Sequence, residues 1–196
     1  MRTIKFSLVA LATLLTVGAS AQIGIQAGYS SSTQTVTGSL LGVTATSKVT
    51  MNGFHVGPVA EMTVQGPISL QYGLLYNYLT ATESNIKTVA HELDLPVRIA
   101  ASFPVGNGLN LFAFGGPNFN YAISQKTGDG DNMYSQELNG KKIVSPFDVQ
   151  LGAGAGLKYN SLILKVGYDW GLLNKSSIDN TTFKSNALKI SLAYMF

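Results

Sequence analysis

No cysteine occurs in the 196 residues, which excludes disulfides, thiolate metal sites, cysteine nucleophiles and a lipidated cysteine anchor. Charge is scarce as well. Asp, Glu, Lys and Arg make up 12% of the chain, about half the roughly 25% of soluble domains. Long apolar runs are also missing: beyond the first twenty residues no stretch of 18 uninterrupted apolar residues occurs, so no membrane-spanning helix is expected. There are two histidines, His55 and His91, and no Gly-x-Ser-x-Gly nucleophile elbow, which leaves little for hydrolytic chemistry. Low charge without an apolar helix is the composition of a chain that meets lipid through alternate residues.

The N-terminus carries Arg2 and Lys5, an uncharged run from Phe6 to Val17, then Ala19-Ser20-Ala21. This order is that of a secretory signal peptide, with cleavage expected after Ala21. The division is therefore 1–21 signal peptide and 22–196 barrel domain. Without Arg2 and Lys5 the chain has 11 basic against 10 acidic residues, a balance that gives no footing for nucleic acid.

From Gln22 onward the sequence alternates with period two in stretches of about ten residues, the length of a tilted transmembrane strand. The last stretch is the clearest. Leu188, Ile190, Leu192, Tyr194 and Phe196 share one face, and Ala187, Lys189, Ser191, Ala193 and Met195 share the other. Eight such stretches are expected: 23–29, 54–64, 68–78, 91–101, 109–121, 147–157, 162–171 and 187–196. Pro58 predicts an irregularity in the second, and the fifth, Leu109 to Tyr121, has no assignable faces. Between them, polar connections at 30–50, 79–90, 122–145 and 172–184 read as long loops, and those at 65–67, 103–108 and 159–161 as tight turns. Alternating long loops and short turns is the asymmetry of outer-membrane barrels. The expected fold is all-β: an eight-stranded antiparallel up-and-down transmembrane β-barrel preceded by a cleaved signal peptide, located in the cell outer membrane. A soluble lipocalin-like barrel is the rival, but its interior would be apolar, whereas here the inward faces of the last three strands carry charge and glycine.

Several segments carry a family resemblance. They are Gly53-Phe54-His55-Val56-Gly57-Pro58, Leu70-Gln71-Tyr72-Gly73-Leu74-Leu75-Tyr76, Leu93-Asp94-Leu95-Pro96-Val97 and Gly115-Gly116-Pro117, followed by Phe147 to Gly156 and Tyr168-Asp169-Trp170-Gly171-Leu172. In this order the chain resembles the PorT-like outer-membrane β-barrel family of Bacteroidetes. The resemblance implies the barrel fold over the whole mature chain, implies no catalytic residues, and links one member to protein export. A final strand ending in Tyr194 and Phe196 resembles the signal by which such barrels are recognised by the barrel-assembly machinery.

Glu61, Glu92, Asp94, Arg98, Asp148, Lys165, Asp169 and Lys189 face inward in this reading. An eight-stranded barrel is only wide enough for side chains to fill, and an unpaired buried charge is costly, so these eight are expected to form ion pairs that close the lumen. The functional expectation is a non-enzymatic barrel, structural or partner-binding through its outer loops. One alternative is a narrow channel for small solutes, in which a pair exchanges partners. A second is a lipid-modifying enzyme built on a rim histidine with Glu92 and Ser84. Lys126, Lys141, Lys142, Lys175 and Lys184 are placed in outer loops, where they could meet lipopolysaccharide phosphates. Asp129, Asp131 and Asn132 resemble part of a calcium loop but lack its later acidic ligand. No metal or cofactor is expected.

Overall fold

A computed structural model describes residues 21–40, 43–138 and 140–196. The expected signal peptide thus lies outside the described residues, save for Ala21. In chain order the strands are β1 (Ala21–Leu40), β2 (Val43–Gln65), β3 (Ile68–Gly73), β4 (Leu75–Glu83), β5 (Ile86–Gly106) and β6 (Leu109–Thr127). A 3-10 turn (Met133–Ser135) and the two-residue strands β7 (Glu137–Leu138) and β8 (Lys141–Lys142) follow. The chain then runs through β9 (Phe147–Tyr159), β10 (Leu162–Gly171) and β11 (Thr181–Met195).

Nine of these strands form one antiparallel sheet, which closes because β1 pairs with both β2 and β11. Strands β3 and β4 occupy a single stave, so the closed barrel has eight. Their separation has a simple cause. Leu74 donates its N–H to the Pro58 carbonyl at 3.0 Å, but Pro58 has no N–H to return, and the ladder lapses for one residue. The register is continuous across the gap, from Val59↔Gly73 to Val56↔Tyr76. The irregularity expected at Pro58 is therefore a missing bond, without an inserted residue.

Four connections among the described residues are tight two-residue turns that require positive φ, the first of them Gly66-Pro67 between β2 and β3 (Gly66 φ 54°). Ser84 and Asn85 (φ 48° and 63°) join β4 to β5, Asn107 and Gly108 (φ 53° and 76°) join β5 to β6, and Asn160 opens the turn from β9 to β10 at φ 51°.

The first two expected long loops are not loops. Residues 30–40 and 43–50 form the upper arms of a hairpin, paired without interruption from Ala21↔Met62 to Leu40↔Val43. Likewise 79–90 belongs to β4 and β5, paired to Glu83↔Ile86. The polar composition misled because these arms rise beyond the lipid. There both faces of a strand can be polar, and alternation of hydropathy vanishes although alternation of direction does not. Ser30, Ser32 and Gln34 are buried inward. Outward, Thr33 bonds Thr50 at 3.0 Å and Thr37 bonds Thr46 at 3.2 Å. β-Branched threonine across a strand pair is a good strand former. The segments 122–145 and 172–184 are loops only in part, because β6 runs on to Thr127 and β11 starts at Thr181.

The unassigned fifth stretch also resolves. Phe112, Asn118, Asn120 and Ala122 on β6 are buried inward, while Leu111, Phe119, Tyr121 and Ile123 are exposed outward. Its alternation is weak because two phenylalanines, Phe112 and Phe114, point into the barrel.

Candidate functional site

The interior is filled in layers, and the glycine-rich faces of β9 and β10 decide what fits where. At the short-turn end an apolar plug gathers Val59, Leu75, Phe112, Ile163 and Met195, with Phe114 packed against them. The two phenylalanine rings lie 6.0 Å apart. They occupy space that side chains on the neighbouring strands would need. A Cβ at Gly156 would stand 2.5 Å from Phe112 Cζ, and one at Gly167 would stand 2.9 Å from Phe114 Cζ. At this end too, Glu61 pairs with Lys158 at 3.0 Å and accepts a bond from Ser69 at 2.8 Å.

Above the plug sits the charge layer. Arg98 pairs with Asp169 and donates to the Gly116 carbonyl. Lys189 spans two carboxylates, 2.5 Å from Asp94 and 3.1 Å from Asp169. Asp94 also accepts from the amides of Asn77 (2.8 Å), Asn118 (3.0 Å) and Asn120 (2.9 Å). Two cations and two anions are thus linked into one neutral cluster with its acceptors supplied, the condition under which buried charge is tolerated. Gly152 makes room for it, since a Cβ there would collide with both Asp169 and Arg98. Lys165 stands apart. Its Nζ lies 6.0 Å from the centre of the Phe114 ring, within cation–π range, and it makes no ion pair among the described residues.

The next layer is a neutral hydrogen-bond relay centred on His55, which is fully buried. Its Nδ1 meets Ser30 Oγ at 2.8 Å, and its Nε2 meets Ser191 Oγ at 2.9 Å and the Gln26 amide at 3.3 Å. Ser30 donates onward to the Asn77 carbonyl oxygen at 3.1 Å, so its oxygen is free to accept from Nδ1–H while Nε2 accepts from the other side. One tautomer satisfies the whole chain of bonds. His55 is therefore an interior residue and not a rim group.

The long-hairpin end is capped. Gln34 and Gln125 exchange two bonds across the barrel, at 2.9 and 3.1 Å. Over them lie Tyr134, Phe183 and Lys175, with the Lys175 Nζ 5.2 Å from each ring centre. Lys175 is 1% exposed, contrary to the solvated loop lysine expected of it. The segment before β9 and the start of β11 pin its backbone: Ser145 N–H donates to its carbonyl at 2.8 Å, and its own N–H donates to Phe183 O at 2.9 Å. Burial pulls its pKa below the usual lysine value, and the fields of Glu92 and Asp148 oppose that shift. Burial likewise pushes the Tyr134 phenol up, and the same two carboxylates add to it. Asp148 is fully buried, and among the described residues neither of its carboxylate oxygens has a partner at hydrogen-bond geometry. Glu92 accepts from Asn120 at 2.9 Å through one oxygen only.

Of the eight charged candidates, Asp94, Arg98, Asp169 and Lys189 are thus assembled into one cluster. Glu61 lies apart with Lys158, Glu92 and Asp148 lie under the cap, and Lys165 is unpaired. Tyr194 and Phe196 stack edge to face outside, with ring centres 5.6 Å apart. The triad of His91, Glu92 and Ser84 is not assembled, because His91 and Glu92 are successive residues of a regularly paired stretch of β5 and point to opposite faces, Glu92 into the barrel, and Ser84 lies in the β4–β5 turn. The aspartates near the 128–132 tip form no metal cluster among the described residues. Asn132 instead caps the 3-10 turn. Lys158, Tyr134 and the asparagines of β6 have no place in the sequence reading, and Lys175, placed there in an outer loop, is buried under the cap. Only the asparagines left a signal, the alternation Pro117-Asn118-Phe119-Asn120-Tyr121.

Known proteins agree on the architecture. Neisserial surface protein A is similar in structure with a TM-score of 0.50 at 14% identity, covering 90% of this chain and 99% of that one. The outer membrane enzyme PagL is similar with a TM-score of 0.51 at 12% identity, covering 84% and 99%. At such identities the likeness is one of fold. No curated protein matches the sequence significantly. Residues 16–177 match the family described as "Outer membrane protein beta-barrel domain"; the chain belongs to that family, and it is a β-barrel protein of the outer membrane.

Proposed function

We propose that this barrel is non-enzymatic and non-conducting, a membrane-anchored frame whose work is done by its projecting outer hairpins against a partner. The filling of the lumen carries this reading. From Met195 at one end to Lys175 at the other, each layer is occupied. The cavities beside Arg98 and Lys165 hold about 30 and 50 Å³, room for a few waters each. The frame also extends well beyond what lipid requires. β2 has 23 residues, against the 9–11 that span a bilayer, and the surplus pairs with the upper half of β1, which β11 flanks on its other side up to Gly38↔Thr181. The order of motifs from Gly53 to Leu172 supports a PorT-like relationship, and with it a partner among proteins exported through the outer membrane. Residues 1–21 act as the cleaved export signal, and Tyr194 with Phe196 as the element read by the assembly machinery.

Planar-bilayer recording of the refolded barrel tests the reading. No unitary steps are expected. Steps whose ion selectivity reverses with Lys165→Glu would establish the channel in its place.

A further inference from the structure

The outward face holds a feature that the lumen does not explain. Tyr29, Phe54, Tyr78 and His91 are successive cross-strand partners from β1 to β5. The row is an aromatic belt, with Phe54 and Tyr78 rings 5.5 Å apart and Tyr78 and His91 rings 5.4 Å apart. Such belts sit at the boundary between hydrocarbon and head groups. At His91 the belt meets a groove of about 690 Å³ over the paired upper parts of β5 and β6, lined by Lys87, Val89, His91, Ser124, Lys126 and Asp129 among others. Val89 pairs with Lys126, and His91 with Ser124. Lys87 is four residues above His91, about 13 Å along the strand, and less once tilted. The two exposed ammonium groups therefore lie above the belt, at head-group depth.

We propose that this groove binds the phosphorylated sugar head group of an outer-leaflet glycolipid, with its acyl chains lying down the apolar face of β6. The groove's chemistry is mixed in the way that ligand requires. Lys87 and Lys126 supply positive charge for phosphate. The Tyr76 hydroxyl holds His91 Nδ1 at 2.5 Å, which fixes the ring and leaves Nε2 for the ligand. Ser124 and Asp129 can bond sugar hydroxyls, and Asp129 argues against a ligand that is phosphate alone. Below the groove, Ile123, Tyr121 and Phe119 are exposed on the lipid side. The site is independent of whether the lumen conducts.

The test is calorimetric titration of the refolded full-length barrel in detergent with purified lipopolysaccharide. Lys87→Gln with Lys126→Gln should weaken binding about tenfold or more, since each lysine near an anionic surface contributes appreciably. The charge-matched control is Lys48→Gln with Lys184→Gln. Both of those lysines flank Thr35 on β1, far round the barrel, and their loss should change affinity less than about twofold, the size of ordinary long-range screening. All four lysines are exposed, so the heat-shifted mobility of the folded barrel should survive in both variants. An equal loss in the two pairs would reduce the site to general electrostatics and overturn it. So would undiminished binding of dephosphorylated lipopolysaccharide, or equal competition by phosphatidylglycerol.

Discussion

Lys189 is the group on which the interior charge balance turns. Its ammonium lies 2.5 Å from Asp94 and 3.1 Å from Asp169. Lys189→Met keeps most of the apolar stem and removes only the charge. Asp169 retains Arg98, but Asp94, 2% exposed, is left with three neutral amides, and the cluster changes from neutral to singly negative. Removing one partner of a buried pair costs about 3–5 kcal/mol, most of it the penalty for the charge left behind. With a urea slope of about 2 kcal/mol/M, the unfolding midpoint should fall by about 1.5 M or more. The readout is the fluorescence of Trp170, the chain's single tryptophan, which lies on the same strand as Asp169. The decisive comparison is Lys189→Met with Asp94→Asn. That pair restores neutrality, and exchanging a buried ion pair for neutral groups is often close to free, so the double variant should be more stable than the single one by about 2 kcal/mol. A single variant that unfolds within about 0.3 M of the parent, far below that shift, would refute the argument, as would a double variant no better than the single.

Two further perturbations probe the ends of the lumen. Gly167→Val should lower stability by about 1–3 kcal/mol through overpacking, because its side chain would enter the space of the Phe114 ring. Adding Phe114→Leu should recover part of that loss, and additive losses would show that ring and glycine are not coupled. At the cap, the raised Tyr134 phenol has a signed consequence. Its neutral form is favoured by the fold, so the stability it lends is present below the usual tyrosine value of about 10 and is lost as pH rises beyond it. Buried Lys175 acts in the other direction, since its lowered pKa lets cap stability rise with pH up to about 10.4. Tyr134→Phe should therefore leave the alkaline absorbance titration of the folded barrel unchanged up to about pH 12, two units above the usual value. Loss of one titrating phenol below that pH would show Tyr134 to be open to solvent.

How much of this was legible in the sequence follows from where lipid lies. Between Tyr29 and Ile23, or between Leu188 and Phe196, one face meets hydrocarbon and the other a wet, crowded interior, so period two appears directly as hydropathy. The faces of seven staves, and the inward placement of Asp94, Arg98, Asp169 and Lys189, could be read for that reason. Beyond the aromatic row both faces are polar. Ser30 to Thr50 then has the composition of a loop, although strand pairing continues to Leu40↔Val43. Lys175 was misread for a related reason. Its burial depends on two separate loops meeting, through the Val144↔Ser176 bridge, and no local pattern encodes that meeting.

The sixth strand shows a deeper limit of pattern reading. Phe112 and Phe114 break the rule that apolar faces point to lipid, and within β6 alone nothing justifies turning them inward. The justification lies on β9 and β10, where Gly154, Gly156 and Gly167 leave a shallow trough. β9 is the barrel neighbour of β6 although the cap segment 128–146 intervenes in sequence. Glycine weakens a strand by itself, so a run such as Gly152-Ala153-Gly154-Ala155-Gly156 looks like a cost until the opposing rings are placed on it. Rings over glycines fill one end of the lumen, and an arginine over Gly152 fills its middle. Both use one device: a narrow barrel admits large side chains only where facing strands surrender theirs. Closure of the lumen is thus a property of pairs of strands. It entered the sequence as two features, inward aromatics on one strand and bare glycines on another, that acquire meaning only together.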